Sequence, residues 1–527
     1  MKRLFLGLDS STQGLTATAI DLDARAVAFQ RTVNYDADLP AWGTRNGVRP
    51  HPDPRVVHAP PLMWVDALEL LFDRLREEGA DLGAVHAIAV SGQQHGSIYL
   101  NDRAAGVLAA LHPARPASES LRTALARDTA PIWMDSSTTD ECREIRDALG
   151  GDRATAELTG STTFERFTGP QIRRFWKTDP DGYERTASIA LVSSFIPSVL
   201  AGSIAPIDPG DGAGMNLMDI SRRDWAPRAL KATAPDLARR LPAIAPSWHI
   251  VGPLHARFAK RFGFARDAMV AVGSGDNPCS LVGVGLVRPG DAAISLGTSD
   301  TYFGLMTECR TDPHGEGHVF GSPTGDYMSL ICFKNGSLAR ERVRDAFGLD
   351  WDGFAAALRR APPGNGGRLM LPWFVPEIVP RVLRPGVRRF GMDDRDVEAN
   401  CRGVVEAQMM SMRLHARWMG VRPGRLLATG GASRNEAILR VMADVHGCPV
   451  FRFEVSNSAA LGAALRAAHA WRRATGAPVG WPEIVAGFTE PAAASRIDPD
   501  PSTAAVYDRL TEDYARRERE AAGVSAA

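Results

Sequence analysis

The 527-residue sequence lacks an excess of charge of either sign: 61 Lys and Arg balance 61 Asp and Glu. That balance removes the global field that would draw the chain to nucleic acid or to an anionic membrane surface. Cysteine is sparse, with six residues at 142, 279, 309, 332, 401 and 448 and no CxxC pair among them. Disulfide frameworks and zinc sites need closer, repeated spacing, so free thiols in a reducing compartment are expected. Long apolar runs are lacking too. The opening Met1-Lys-Arg-Leu-Phe-Leu-Gly-Leu-Asp9 meets an acid too soon for a signal peptide. The uncharged stretch 186–207 has the length of a membrane span, but Pro197, Gly202 and Pro206 interrupt it. A buried strand followed by a helix is the better reading. The expectation is a cytoplasmic protein with neither nucleic acid nor membrane as partner.

What is present begins with length, which is too great for one core and implies two to four domains. Gly273-Ser-Gly-Asp-Asn-Pro-Cys279 follows an apolar run, Ala268–Val272, and precedes another, Ser280–Leu286. Strand, glycine turn and helix place Asp276 on the turn, either as a helix cap or as a carboxylate open to a cleft and useful as a general base. Both readings stand at this point. Residues 3–9 predict a strand, Ser10-Ser-Thr-Gln-Gly14 a polar turn, and 15–22 and 24–32 two more strands. Such a hairpin offers small side chains and free N–H groups to a phosphate, with Asp9 alongside for Mg²⁺. Residues 290–306 repeat the plan around Gly297-Thr-Ser-Asp300. Two copies imply a duplicated domain with a cleft where both turns face one triphosphate.

Other segments read more plainly. Residues 34–61 form a proline-bearing loop, expected to be a lid or disordered, and 103–130 an Ala/Arg-rich surface insertion. Helices are predicted over 62–78, 138–149, 404–419, 436–446, 458–472 and 504–519. The strand at 85–90 delivers Ser91-Gly-Gln-Gln-His-Gly-Ser97, whose amides and His95 suit a small polar ligand, and Arg166 stands between Phe164 and Phe167. Gly210–Gly214 predicts a flexible loop, and 450–453 an edge strand. Thr429-Gly-Gly-Ala-Ser-Arg-Asn435 lies between a strand and a helix, a nucleotide-site geometry in which backbone and helix N-terminus meet the ligand. It has neither GxGxxG nor GxxxxGKS spacing. The boundaries expected are 1–270, 271–485 and a helical tail, 486–527.

Taken in order, Leu8-Asp-Ser-Ser-Thr-Gln-Gly14, Gly92-Gln-Gln-His-Gly96, Gly275-Asp-Asn277, Leu296-Gly-Thr-Ser299 and Thr429-Gly-Gly-Ala-Ser433 resemble the FGGY family of carbohydrate kinases. Gln93–Ser97, Glu165-Arg-Phe-Thr-Gly169 and Cys332-Phe-Lys-Asn-Gly-Ser-Leu338 are most similar to its xylulose-phosphorylating branch of eukaryotic type, whereas Pro372–Glu377 departs from the family's Gly-Glu-Arg-type segment. The resemblance implies an α/β fold of duplicated actin-like (ribonuclease H-like) domains with an ATP/sugar cleft between them. It implies ATP and Mg²⁺ as cofactors and transfer of phosphate to the terminal hydroxyl of D-xylulose. Asp276 matches the catalytic base and Asp9 the Mg²⁺ carboxylate. Gln94, His95, Arg166, Asp276 and Asn277 match the sugar contacts. Ser11, Thr12, Gly297, Thr298 and Ser299 match the phosphate turns, and Trp351, Gly430, Gly431 and Asn435 the adenosine pocket. A tryptophan opening a helix, as Trp351 does, is also a natural core residue. Alternatives are a ribulose, glycerol or other polyol kinase, a non-catalytic sugar or nucleotide sensor, and an actin-fold ATPase acting on protein partners. A monomer or homodimer is expected.

Overall fold

The computed structural model describes residues 2–453 and 457–522. Two compact units emerge, Met1–Val287 with Val319–Tyr327 and Val455–Glu490, and Arg288–His318 with Met328–Glu454 and Pro491–Ala527. These limits differ from boundaries at 270 and 485. The helix Asp276–Gly283 packs with the distant helix Ser458–Ala474 in the first unit, and that long-range contact is invisible to local composition. The two helices meet backbone to backbone. A Cβ on Gly283 would stand 1.9 Å from the Ser458 carbonyl oxygen, and one on Gly462 1.8 Å from that of Cys279. Only glycine at both crossings permits this approach.

The first unit is built on β1 (Leu4–Ser10), β2 (Gly14–Asp21), β3 (Ala26–Asn34), β4 (Val85–Gly92) and β5 (Met269–Ala271). Their order is β5-β4-β1-β2-β3, with the β1–β2–β3 meander antiparallel and β1, β4 and β5 parallel. The second unit uses β6 (Asp291–Leu296), β7 (Asp300–Met306), β8 (Tyr327–Phe333), β9 (Arg425–Thr429) and β10 (Val450–Arg452). Their order, β10-β9-β6-β7-β8, repeats the first, and again the central strand is antiparallel to its hairpin partner and parallel to its crossover neighbour. The duplication expected from the two hairpins is therefore present in topology.

Central strands read as continuous apolar runs because both faces are covered: β1 and β2 are buried almost throughout. The Pro61–Glu77 helix buries Leu62, Met63, Trp64, Leu68, Leu71, Phe72 and Leu75 in the first unit's core. In the second, the Val397–His415 helix starts seven residues before the expected 404 and buries Met409, Met410 and Met412. The stretch 186–207 forms Ser188–Leu191 and the helix Val192–Ala201, and among the described residues no helix is long and apolar enough to cross a membrane. All six cysteines are free.

Four readings need correction. Residues 103–130 are not a surface insertion: short helices Ala104–Ala109 and Ala117–Leu121 bury Ala104, Leu108, Ala117 and Leu121 in the core. Alanine supplies burial without a visible apolar period there. Gly210–Gly214 is no flexible loop but a buried turn, because the Asp208 side chain caps Pro209–Gly212 through the Asp211 N–H. Of the two readings of residues 34–61, disorder is the one that fails: the Trp42 indole donates to Asp66 (2.9 Å), Arg74 pairs with Asp38 (2.8 Å), and Asp36 accepts from Thr44 and Gly47. Finally, β10 is not an edge, since Arg496–Ile497 pairs along it.

In the second unit, the Arg340 guanidinium forms a two-point pair with Asp300 at 2.7 and 2.9 Å, both side chains buried, and also donates to Gln408 and Ser337. The pair fixes the start of β7 against the helix Ser337–Ala346. Arg340→Met is expected to cost about 3–5 kcal/mol, because it strands a buried charge on Asp300. Urea denaturation should show that loss, and adding Asp300→Leu to the same chain should recover much of it.

Candidate active site

In the first unit the sheet register gathers the acidic groups. Across the parallel strands, Asp9 of β1 lies beside Ser91 of β4, and Ser91 lies beside Ser274. Asp276 follows two residues later, at the first position of its helix. Gly275 occupies the cap and Asp276 the first helical position, so Asp276 is not the helix's cap residue. The Asp276 carboxylate instead accepts from the Asn277 N–H (2.9 Å) and side-chain amide (3.2 Å). Burial, and then the charge of Asp9, push its pKa up to about 7. Burial raises Asp9 to about 6 against a 2.6 Å bond donated by the Ser91 hydroxyl. A carboxyl that exchanges its proton near neutrality is suited to general-base work.

The sugar-side candidates surround this pair. Asn277 donates its amide to the Gln94 side-chain oxygen at 2.8 Å, and the Gln94 amide reaches the Gly210 carbonyl at 3.4 Å. His95 is held in the left-handed region at φ 73°, a strained conformation for a side-chain-bearing residue. Its Nδ1 bonds the Gly214 carbonyl (2.9 Å) and its ring packs 4.4 Å from that of Phe167. The Arg166 guanidinium covers Phe164 and Phe167 at 4.9 and 5.3 Å, so the predicted cation between aromatics is present and reaches His95 through Phe167. Ser11 bonds back to Gly14 within the β1–β2 turn, and Thr12 accepts from the Trp133 indole at 2.8 Å.

Two participants escaped the sequence reading. Trp133 is 47% exposed despite its size and is pinned to the turn by Thr12. Asp211 is buried and accepts from the Ser193 hydroxyl, and burial first, then the charges of Asp208 and Asp276, push its pKa up to about 8. The glycines flanking Asp211 had disguised it as loop. The signal available was the Asp208–Asp211 spacing of a capped turn.

The second unit carries a separate pocket of about 630 Å³, lined by Ser337, Glu341, Trp351, Arg359, Gly431 and Asn435 among others. Trp351 is 38% exposed and lies under the Arg344 guanidinium, 4.5 Å from the ring centre, so the core reading of this residue fails. The Asn435 side-chain oxygen accepts from the Ala437 and Ile438 N–H groups, opening the helix Glu436–His446. Gly430 has φ 83° and passes so close to Leu296 that a Cβ would stand 2.6 Å from its carbonyl oxygen. Gly297, Thr298 and Ser299 form the β6–β7 turn, and the N–H of Ser337 in the pocket wall donates to the Gly297 carbonyl (2.9 Å). Glu377, in the segment that departs from the family pattern, accepts the N–H groups of Lys334 (2.6 Å) and Asn335 (3.0 Å), fixing the turn before Ser337.

Both stretches of the chain match a known family. Residues 4–283 match the N-terminal domain, and residues 292–471 the C-terminal domain, of the FGGY family of carbohydrate kinases. The chain belongs to this family. It is 40% identical over 529 residues to the xylulose kinase of Rattus norvegicus, covering 98% of this chain and 97% of that protein. Xylulose kinase 2 of Arabidopsis thaliana is 42% identical over 491 residues, 89% of this chain and 87% of that protein. A solved xylulose kinase from Rhodospirillum rubrum has the same fold, with a TM-score of 0.81, 20% identity and coverage of 98% and 99%.

The charge linkage within the first unit is measurable. In carbon-labelled protein without ligand, the Asp276 carboxyl should titrate near 7 by NMR, and Asp9→Asn should lower that value by removing a neighbouring negative charge. An Asp276 titration indifferent to Asp9 would refute the coupling.

Proposed function

We propose that this sugar kinase transfers the terminal phosphoryl group of ATP to the terminal hydroxyl of D-xylulose, giving D-xylulose 5-phosphate. The observation that carries the reading is Asp276, uncapped, beside Asn277 and raised to about 7. As general base it accepts the hydroxyl proton while the oxygen attacks phosphorus, a contribution of about 10²–10⁴ in rate. Gln94, His95, Arg166 and Asn277 bind and orient the ketose. Ser11, Thr12, Gly297, Thr298 and Ser299 offer hydroxyl and N–H donors to phosphate oxygens. Trp351, Gly430, Gly431 and Asn435 hold the adenosine, the tryptophan against the base and the glycines admitting the ribose and phosphates.

The donor set suits Mg²⁺ on one condition. Among the described residues no group of three or more His, Cys, Asp or Glu side chains is arranged to hold a metal alone. Asp9, half-buried and raised to about 6, is a carboxylate that would hold a cation and be stabilised by it. Bound there, Mg²⁺ would neutralise charge on the transferring phosphate. The same reading has the enzyme work in the cytoplasm, as a monomer or homodimer.

The decisive assay is ADP release from Mg·ATP with D-xylulose, D-ribulose, L-xylulose, glycerol or no sugar. Stimulation by D-xylulose well above the others is expected. Preference for another polyol would move the substrate assignment, and no stimulation with ATP still bound would favour a sensor. Asp276→Asn should lose about 10²–10⁴ in kcat with ATP affinity retained. In the wild type, turnover should fall as the pH drops through about 7, where Asp276 takes up the proton that blocks it as a base.

A further inference from the structure

Asp135 is buried, lies outside the residues assigned to the reaction, and gathers more donors than its place before a helix requires. One carboxylate oxygen accepts from the Ser137 N–H (2.9 Å), the Ser137 hydroxyl (2.6 Å) and the Gln171 amide (2.8 Å). The other accepts from the Val57 N–H at 2.8 Å, with His58 Nε2 at 3.5 Å. Burial works to raise its pKa, but the bonds from His58, Ser137 and Val57 outweigh it and hold the carboxyl well below the usual range. It is therefore an ionised acceptor at any working pH.

Those donors come from three segments that reach the sugar half-site. Val57 and His58 belong to the 34–61 loop, whose His58–Ala59 pairs with Ala130–Pro131, two residues before Trp133. Trp133 in turn donates to Thr12 of the β1–β2 turn. On the third side, Gln171 donates to Asp135 and also to the Glu165 carbonyl (3.0 Å), which receives the Thr138 hydroxyl as well (2.7 Å). Arg166 is the next residue. A single charged acceptor thus joins the loop, the exposed tryptophan and the turn that aims the guanidinium. Charge-assisted bonds of this kind are the stronger class, and the buried setting leaves water no place to substitute.

We propose that Asp135 is a positioning residue for sugar binding, one that locks the 55–59 loop, Trp133 and the Glu165–Arg166 turn into a preset rim around the ketose. The proposal deepens the kinase reading and rests on it. Its effect falls on the sugar and leaves the adenosine pocket, which lies in the other unit, alone; the phosphate turn is reached only at one remove, through the Trp133–Thr12 bond.

The test compares wild type, Asp135→Ala, Asp135→Asn and Gln171→Leu in the full chain. Asp135→Ala should raise the KM for D-xylulose about 10- to 100-fold while the KM for ATP stays within about twofold. Asn, which keeps the size and one acceptor, should restore part of the loss. Gln171→Leu should raise the sugar KM by less, and adding it to Asp135→Ala should cost little more, because both cut the same connection. A sugar KM unchanged in both single variants, or equal rises for sugar and ATP, would overturn the proposal. If Asp135→Ala fails to fold, Gln171→Leu carries the kinetic test. Hydrogen exchange at Val57 and at 165–171 should accelerate in Asp135→Asn without any substrate. Unchanged exchange overturns the rim even if the wild type phosphorylates a different sugar, so the proposal and the substrate assignment fail separately.

Discussion

The first unit keeps three carboxyl groups, Asp9, Asp211 and Asp276, in surroundings where ionisation is costly. Their pKa values stand at about 6, 8 and 7, with burial the leading cause each time. Isolated buried carboxylates would be prohibitive, so each is given a donor: Ser91 for Asp9, Ser193 for Asp211, Asn277 for Asp276. The donors are too few to hold the charges comfortably. That shortfall is what keeps the protons exchangeable near neutrality.

The sheet enforces the gathering. Parallel pairing of β1 with β4, and of β4 with Ser274–Gly275, puts Asp9, Ser91 and Ser274 side by side, although they come from residues far apart in the chain. A slip of one residue would send Asp9 to the opposite face. The second unit has the same strand order but places Ser295 and Thr429 at the corresponding pairing, so it offers no acid there. One topology thus supports a unit with a carboxylate at this pairing and a unit without one, with the glycine-edged pocket of Trp351, Gly431 and Asn435 in the latter.

What was legible in the sequence follows from this division. Strands, hairpin turns and the Gly-Gly segment at 430–431 announce themselves locally, because apolar runs, small polar turn residues and a glycine at positive φ such as Gly430 are local requirements. Asp276 was legible for the same reason, standing on a turn between two apolar runs. The contributions of Asp135, Asp211 and Trp133 were not, since each acts through partners outside its own local segment, from Ser193 for Asp211 to Thr12 for Trp133. The helices within 103–130 were hidden by alanine, and the packing of Ser458–Ala474 on Asp276–Gly283 by its distance along the chain.

The Gly214 carbonyl shows how such distant contacts decide chemistry as well as shape. A carbonyl only accepts, so the hydrogen bond at 2.9 Å places the proton of neutral His95 on Nδ1. Nε2 is then the unprotonated nitrogen, an acceptor. Left-handed backbone at His95 and the face of Phe167 fix where that acceptor points. At Nε2 a neutral ring of this tautomer can accept from a proton-bearing group and cannot donate. The tautomer of neutral His95 is thereby written into the backbone at residue 214, where no side chain in the sequence could announce it.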